Sequence, residues 1–198
     1  MQTITATPLT PTAFSPFGSV LQHTSEDEQG RGGGKGTLVN SGTAQKLHLS
    51  SIATGAPPSG RAPNVNVHVF ACSPRARAGE DYVCSVLERH RYSSQAFVPM
   101  GGGGGQEGKA RYLVIVAPTM EGEGGPDVCR ARAFLADAAC QGVVYAMGTW
   151  HAPMAVVGEV GDGPMKFVVV VAENGVPEED TQEVEVSDGG VVVKLSKD

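Results

Sequence analysis

What most constrains this chain is a succession of short segments rich in Val, Ile, Phe and Tyr, at 64–71, 81–88, 94–99, 111–117, 142–146, 153–158, 166–172, 181–186 and 190–195, each bounded by glycine, proline or polar residues. Runs of this length and composition are strands rather than the longer amphipathic helices of a bundle. NVNVHVF at 64–70 alternates strictly, so Asn64, Asn66, His68 and Phe70 share one face and Val65, Val67 and Val69 the other. Further strands are expected near 19–22 and 37–40. Helix is limited to a short piece near the start: Thr10 caps, Pro11 suits the first helical position, Phe14 and Phe17 form the buried face, and Gly18 ends it. PDVCRARAFLAD at 126–137 reads as a strand with an irregular start. The fold class is therefore mostly β.

Glycine-rich stretches near 24–36, 101–109 and 121–126 read as flexible loops, because glycine loses the most backbone freedom on ordering. No Gly-Lys-Ser or Gly-Lys-Thr follows the run Gly101 to Gly105, which argues against a phosphate cradle. A length of 198 residues with 40% hydrophobic content supports one sizeable core, so 1–198 is expected to form a single domain. The net charge of -6 and the scatter of 15 basic residues argue against a nucleic-acid partner and leave a small molecule. No run is long enough to cross a bilayer, and MQTITATPLTPTAF lacks the basic start and apolar stretch of a secretion signal, so no membrane partner and a cytoplasmic location are expected. Cys72, Cys84, Cys129 and Cys140 form no C-x-x-C pair and read as buried free thiols.

Against this apolar background one split polar set stands out: Glu88-x-His90-x4-Gln95, answered by Gly148-x-x-His151. Side chains two apart on a strand point the same way, so Glu88 and His90 share a face, and a turn can bring Gln95 beside them. A second strand ending at His151 would add an imidazole from the other side. Four such N and O groups compose either a divalent-metal site (Glu88, His90, Gln95, His151) or an acid–base site. A surface salt bridge on an ordinary strand pair is the plainer alternative. An amide is a weaker ligand than a carboxylate, which favours hydrogen bonding to substrate at Gln95. His68 reads as a satisfied partner and Trp150 as a core filler, while Arg132 is read either as half of a surface ion pair or as a binder of a substrate carboxylate. The spacing resembles the two cupin signatures, H-x-H-x4-E and P-x-G-x-x-H, with Glu88, Gln95 and Ala146 replacing His, Glu and Pro. That resemblance implies a cupin-like double-stranded β-helix barrel with one or two short helices.

A narrower resemblance runs through most of the chain. LERHRYSSQAFVPM at 87–100, RYLVIVAP at 111–118, RAFLAD at 132–137, QGVVYAMGTWHAP at 141–153 and FVVVVAENGVPEEDTQEVEV at 167–186 are similar, in that order, to the ureidoglycolate lyase family. LTPTAFSPFGSVLQ at 9–22 and NSGTAQKL at 40–47 extend the match, particularly to fungal members. The resemblance implies cleavage of ureidoglycolate to glyoxylate and urea in purine nitrogen recovery. It implies His90, His151 and Glu88 as catalytic groups, and Gln95, Ser94 and Arg132 as substrate contacts. A divalent ion, no organic cofactor and a homodimer are also expected on that basis. A metal-dependent cupin oxygenase or isomerase acting on a small acid, and a non-catalytic cupin binding module, are the competing readings.

Overall fold

The computed structural model describes residues 1–24, 36–101, 110–122, 124–159, 161–187 and 189–196. In chain order the elements are β1 (Gln2–Thr5), β2 (Thr7–Pro8), α1 (Pro11–Phe14), β3 (Gly18–Leu21), β4 (Thr37–Val39), β5 (Ala44–Lys46), β6 (Asn64–Cys72), β7 (Pro74–Ala76), β8 (Asp81–Cys84), β9 (Val86–His90), β10 (Gln95–Pro99), β11 (Arg111–Ala117), β12 (Arg132–Asp137), β13 (Gly142–Tyr145), β14 (Trp150–His151), β15 (Ala155–Val157), β16 (Met165–Glu173), α2 (Pro177–Asp180), β17 (Thr181–Glu185) and β18 (Val191–Lys194). Single 3-10 turns lie at Asn40–Gly42 and Val128–Arg130.

These strands assemble because their apolar faces need two different partners. A five-stranded sheet runs β3-β13-β10-β16-β6, and a larger one runs β17-β9-β14-β11-β12-β2, with β15 joining β11 to β7. Phe97, Val143, Tyr145, Phe167 and Val169 from the first meet Tyr112, Val114, Val116 and Phe134 from the second, and Phe14 and Phe17 close the interior. The opposite face of the larger sheet, carrying Leu87, Leu113, Ile115 and Trp150, is covered by Tyr82, Cys84, Val191 and Val193 of a three-stranded sheet ordered β1-β18-β8. From Tyr112 to Ala117, strand β11 is buried on both faces, which explains why YLVIVA is continuously apolar. Two facing sheets around an apolar interior, with two short helices, make the cupin-like barrel that the sequence led us to expect.

The structure departs from the sequence reading in several places. Segment 81–88 is two strands, because the chain passes from the three-stranded sheet (β8) to the larger sheet (β9) at Ser85. The Thr10 hydroxyl does cap α1, accepting from the Ala13 N–H, but the helix ends at Phe14 and Gly18 already begins β3. The alternation in β6 is real, yet its valine face is the outer one: Val65, Val67 and Val69 are 59%, 67% and 61% exposed. Asn66 and His68 face inward instead, opposite Val171 and Val169 of β16. Of the four free cysteines only Cys84 is buried, while Cys129 and Cys140 are exposed because both sit in turns. The expected loops at 24–36 and 101–109 lie almost wholly outside the described residues. Flanking the expected loop at 121–126, of which Glu123 lies outside the described residues, Met120 N–H donates to the Gly125 carbonyl at 2.8 Å and Thr119 bridges Pro126. Among the described residues no helix is long and apolar enough to cross a membrane.

Candidate active site

Strand β9 aims its side chains alternately into the two cores. Leu87 is fully buried in the second core. Arg89 lies on the same side, with its guanidinium 4.5 Å above the Trp150 ring and donating to Gln182 Oε1 at 3.0 and 2.7 Å. Glu88 and His90 therefore point into the barrel between the two large sheets. Register supplies the remaining partners: His151 of β14 stands opposite Glu88, and Thr181 of β17 opposite His90.

His151 is 2% exposed and its ring is fixed on both sides. Its Nδ1 lies 2.9 Å from the Thr149 carbonyl, which can only accept, so that nitrogen carries the proton. Tyr145 stacks on the ring at 4.0 Å with an interplanar angle of 12°. Burial, reinforced by Tyr112 and Glu88, pushes the Tyr145 phenol far above its ordinary value and keeps it neutral. His151 Nε2 is left buried without a hydrogen-bond partner, 3.5 Å from Glu88 Oε1. At that separation the contact is ionic rather than a well-formed hydrogen bond. The His151 contact nevertheless holds the Glu88 carboxyl below its ordinary value against the opposing effect of burial, and His90 adds to the lowering.

His90 is oriented from behind. Its Nδ1 lies 3.2 Å from Asp180 Oδ2, so the carboxylate selects the Nδ1–H tautomer. Asp180, at the end of α2, is itself held: Ser93 Oγ donates to Oδ2 at 2.6 Å and the Tyr92 N–H to Oδ1 at 2.5 Å. Burial works to raise the Asp180 pKa, but hydrogen bonds from His90, Ser93 and Tyr92 outweigh it and leave the group lowered. The two imidazoles face each other with ring centroids 5.9 Å apart. One ligand atom from each of Glu88, His90 and His151 lies within 4.8 Å of the others. That convergence of one carboxylate and two imidazoles fits a divalent cation, and the partnerless His151 Nε2 is the kind of buried atom such an ion satisfies.

The other residues singled out in the sequence fall differently. Gln95 pairs with Tyr145 across β10 and β13, so it faces the same interior, and its Oε1 is buried with no partner. Ser94 is buried but engaged elsewhere: its Oγ accepts from the Ala53 N–H at 2.7 Å. The adjacent Ser93 is the serine that serves the cluster. Arg132 lies at the start of β12, exposed over the Phe134 ring and donating to the Ala13 carbonyl at 3.3 Å, in a different cleft from His90. His68 is held by Glu173 Oε2 at 3.2 Å, and the same carboxylate oxygen accepts from Asn66 Nδ2 at 2.5 Å. Trp150 is fully buried in the second core.

A cavity of about 290 Å³ opens beside His90, lined by Asn66, Glu173, Asn174, Asp180 and Thr181 among others. Its polar wall offers amides and carboxylates, and among the described residues no lysine or arginine lines it. Asp180, Ser93, Tyr145 and Asn66 escaped the sequence reading. For Tyr145 a signal existed, since it lies on the strand leading into GTWH. Asp180 had none, being 90 residues from its imidazole partner.

The ureidoglycolate lyase family model matches residues 1–194. A ureidoglycolate lyase from Schizosaccharomyces pombe is 36% identical over 186 residues, covering 90% of this chain and 89% of its own. A ureidoglycolate lyase from Burkholderia mallei is 37% identical over 170 residues, covering 86% and 82%. Among solved structures, a dTDP sugar isomerase from Desulfovibrio desulfuricans covers 78% of this chain and 83% of its own, at a TM-score of 0.37 and 11% identity, too remote to bear on the site. The same strands that carry Glu88, His90 and His151 lie inside the matched region, and with a family match over nearly the whole chain, this chain belongs to the ureidoglycolate lyase family.

Proposed function

We propose that this chain cleaves ureidoglycolate to glyoxylate and urea. The observation that carries this reading is the pair of imidazoles whose Nδ1 atoms are each committed to an acceptor, beside an ionised Glu88. The family membership supports it. Cleavage removes the proton from the substrate hydroxyl, forms the aldehyde C=O, breaks the C–N bond and delivers a proton to the departing urea nitrogen. Glu88 with His151 accepts the hydroxyl proton, and His90, whose Nε2 is left free by the Nδ1–H contact to Asp180, takes that proton up as an Asp180-paired imidazolium and delivers it to the departing nitrogen. Gln95 both donates and accepts, matching a ureido group, and its partnerless Oε1 supports that role. Ser94 and Arg132, engaged elsewhere, are left out of this assignment.

A metal reading is favoured by the convergence of Glu88, His90 and His151 and by the acidic wall around an anionic substrate. A divalent ion held by these three side chains would polarise the substrate hydroxyl and carboxylate. Glyoxylate and urea release, followed with and without a chelator, tests both readings. Failure of clean, folded protein to turn over ureidoglycolate sinks the function. Chelator-resistant turnover assigns the triad to proton transfer alone, and loss restored by a divalent ion assigns it to ligation.

The chain works as one domain in the cytoplasm and pairs as a homodimer through the outer valines of β6. Val65, Val67 and Val69 form an exposed apolar strip on the edge strand, with Val98 of β10 exposed as well.

A further inference from the structure

A second and larger cleft, of about 430 Å³, lies on the far side of the turn that precedes His151. Its walls include Arg130, Arg132, Thr119 and the turn residues Met147, Gly148 and Thr149. Arg130 ends a 3-10 turn and Arg132 begins β12, and between them Ala131 is extended, with φ -58° and ψ 147°, so the two guanidinium groups leave the chain on the same side. Both are exposed. The Arg132 head spends one hydrogen bond, on the Ala13 carbonyl, and among the described residues no acidic side chain lines the cleft. A third arginine reinforces the positive field from behind the wall, as Arg89 Nη1 donates to Thr119 Oγ1 at 3.2 Å. In a chain of net charge -6, a cleft whose described lining carries two neighbouring guanidinium groups and no carboxylate has the composition that suits an anion.

The wall between this cleft and the polar cluster is the turn itself. Gly148 N–H donates to the His90 carbonyl at 2.7 Å, and the Thr149 carbonyl accepts from His151 Nδ1 at 2.9 Å. Residues that line the cleft with one side thus hold both imidazole-bearing strands with the other. We propose that this cleft binds a small oxyanion-bearing metabolite, a phosphate or a carboxylate, between Arg130 and Arg132, and that its occupancy is transmitted to His151 through the 147–149 turn.

Calorimetric titration of the full chain with inorganic phosphate, and separately with succinate, tests the site without requiring turnover. Saturable binding of at least one probe is expected, weakened by roughly tenfold or more in Arg130→Gln through loss of charge-assisted bonds. The two titrations separate the sources of the oxyanion. Transmission is read from the proton resonance of His151 Nδ1–H, which shifts on addition of the bound probe in the parent and not in Arg130→Gln. The anion-free turnover of Arg130→Gln equals that of the parent. Absence of saturable binding by either probe, binding unchanged in Arg130→Gln, or displacement of the probe by ureidoglycolate in direct competition overturns the site. Binding that leaves the His151 resonance unmoved overturns the transmission.

Discussion

Asp180 Oδ2 lies 3.2 Å from His90 Nδ1, although 90 residues of chain separate the two. The carboxylate fixes the ring tautomer and is itself held in place by Ser93 and the Tyr92 N–H. Asp180→Asn keeps the shape and loses the charge, so its kcat/KM for ureidoglycolate is expected to fall about 10–100-fold, as for other carboxylates that orient a functional histidine. Initial rates of glyoxylate release check this. A variant with full activity contradicts the positioning role.

The same carboxylate makes acid stability specific. Its folded pKa is lowered, so the stabilisation it contributes is fully present above its ordinary value of about 4 and is lost as pH falls through the lower folded value. The melting temperatures of the parent and Asp180→Asn should therefore differ most near neutrality and converge as the pH falls through the lowered folded value. A gap that stays constant with pH rules the linkage out.

Gly148 adopts a φ of 75°, while its N–H holds the His90 carbonyl. No atom crowds a Cβ there, so the cost of Gly148→Ala is conformational, about 1–2 kcal/mol for an L-residue in the left-handed region. Denaturant unfolding should show that loss together with reduced turnover. Unchanged stability would mean the turn relaxes freely.

Thiol reactivity should rank by burial. Cys84 is buried, donates to the Val86 carbonyl at 3.3 Å, and has its pKa pushed up to about 11 by burial. Cys129 is exposed. Iodoacetamide followed by mass spectrometry should modify Cys129 early and Cys84 only on unfolding. Early labelling of Cys84 in folded protein contradicts the packing of the second core.

Val67→Glu places a charge in the exposed valine strip of β6, where the parent side chain is 67% exposed. If the strip is the dimer face, light scattering should show a shift to monomer with the fold retained. An unchanged mass moves the contact elsewhere.

Much of this fold was legible in one dimension because a strand declares itself locally. Period-two alternation and β-branched runs located nearly every long strand, and Glu88 and His90 had to share a face once β9 was recognised. The third member, His151, was visible through GTWH, where Gly148 is required by a left-handed turn. The valines of β6 show the limit of such reasoning, since alternation identifies an apolar face without saying which side of a sheet is covered. Ser94 and Ser93 show it again. They are neighbours in sequence, and only packing decides that Ser94 serves Ala53 while Ser93 serves Asp180.

The sequence by itself determined the strands, the shared direction of Glu88 and His90, and the family, because each depends on residues close along the chain or on an ordered series of motifs. Tertiary structure alone decided that Asp180 stands behind His90, that Tyr145 lies against His151, and that Arg132 faces another cleft. Those relationships depend on sheet register and on which faces two sheets present to each other, and register carries information between segments that no local spacing records.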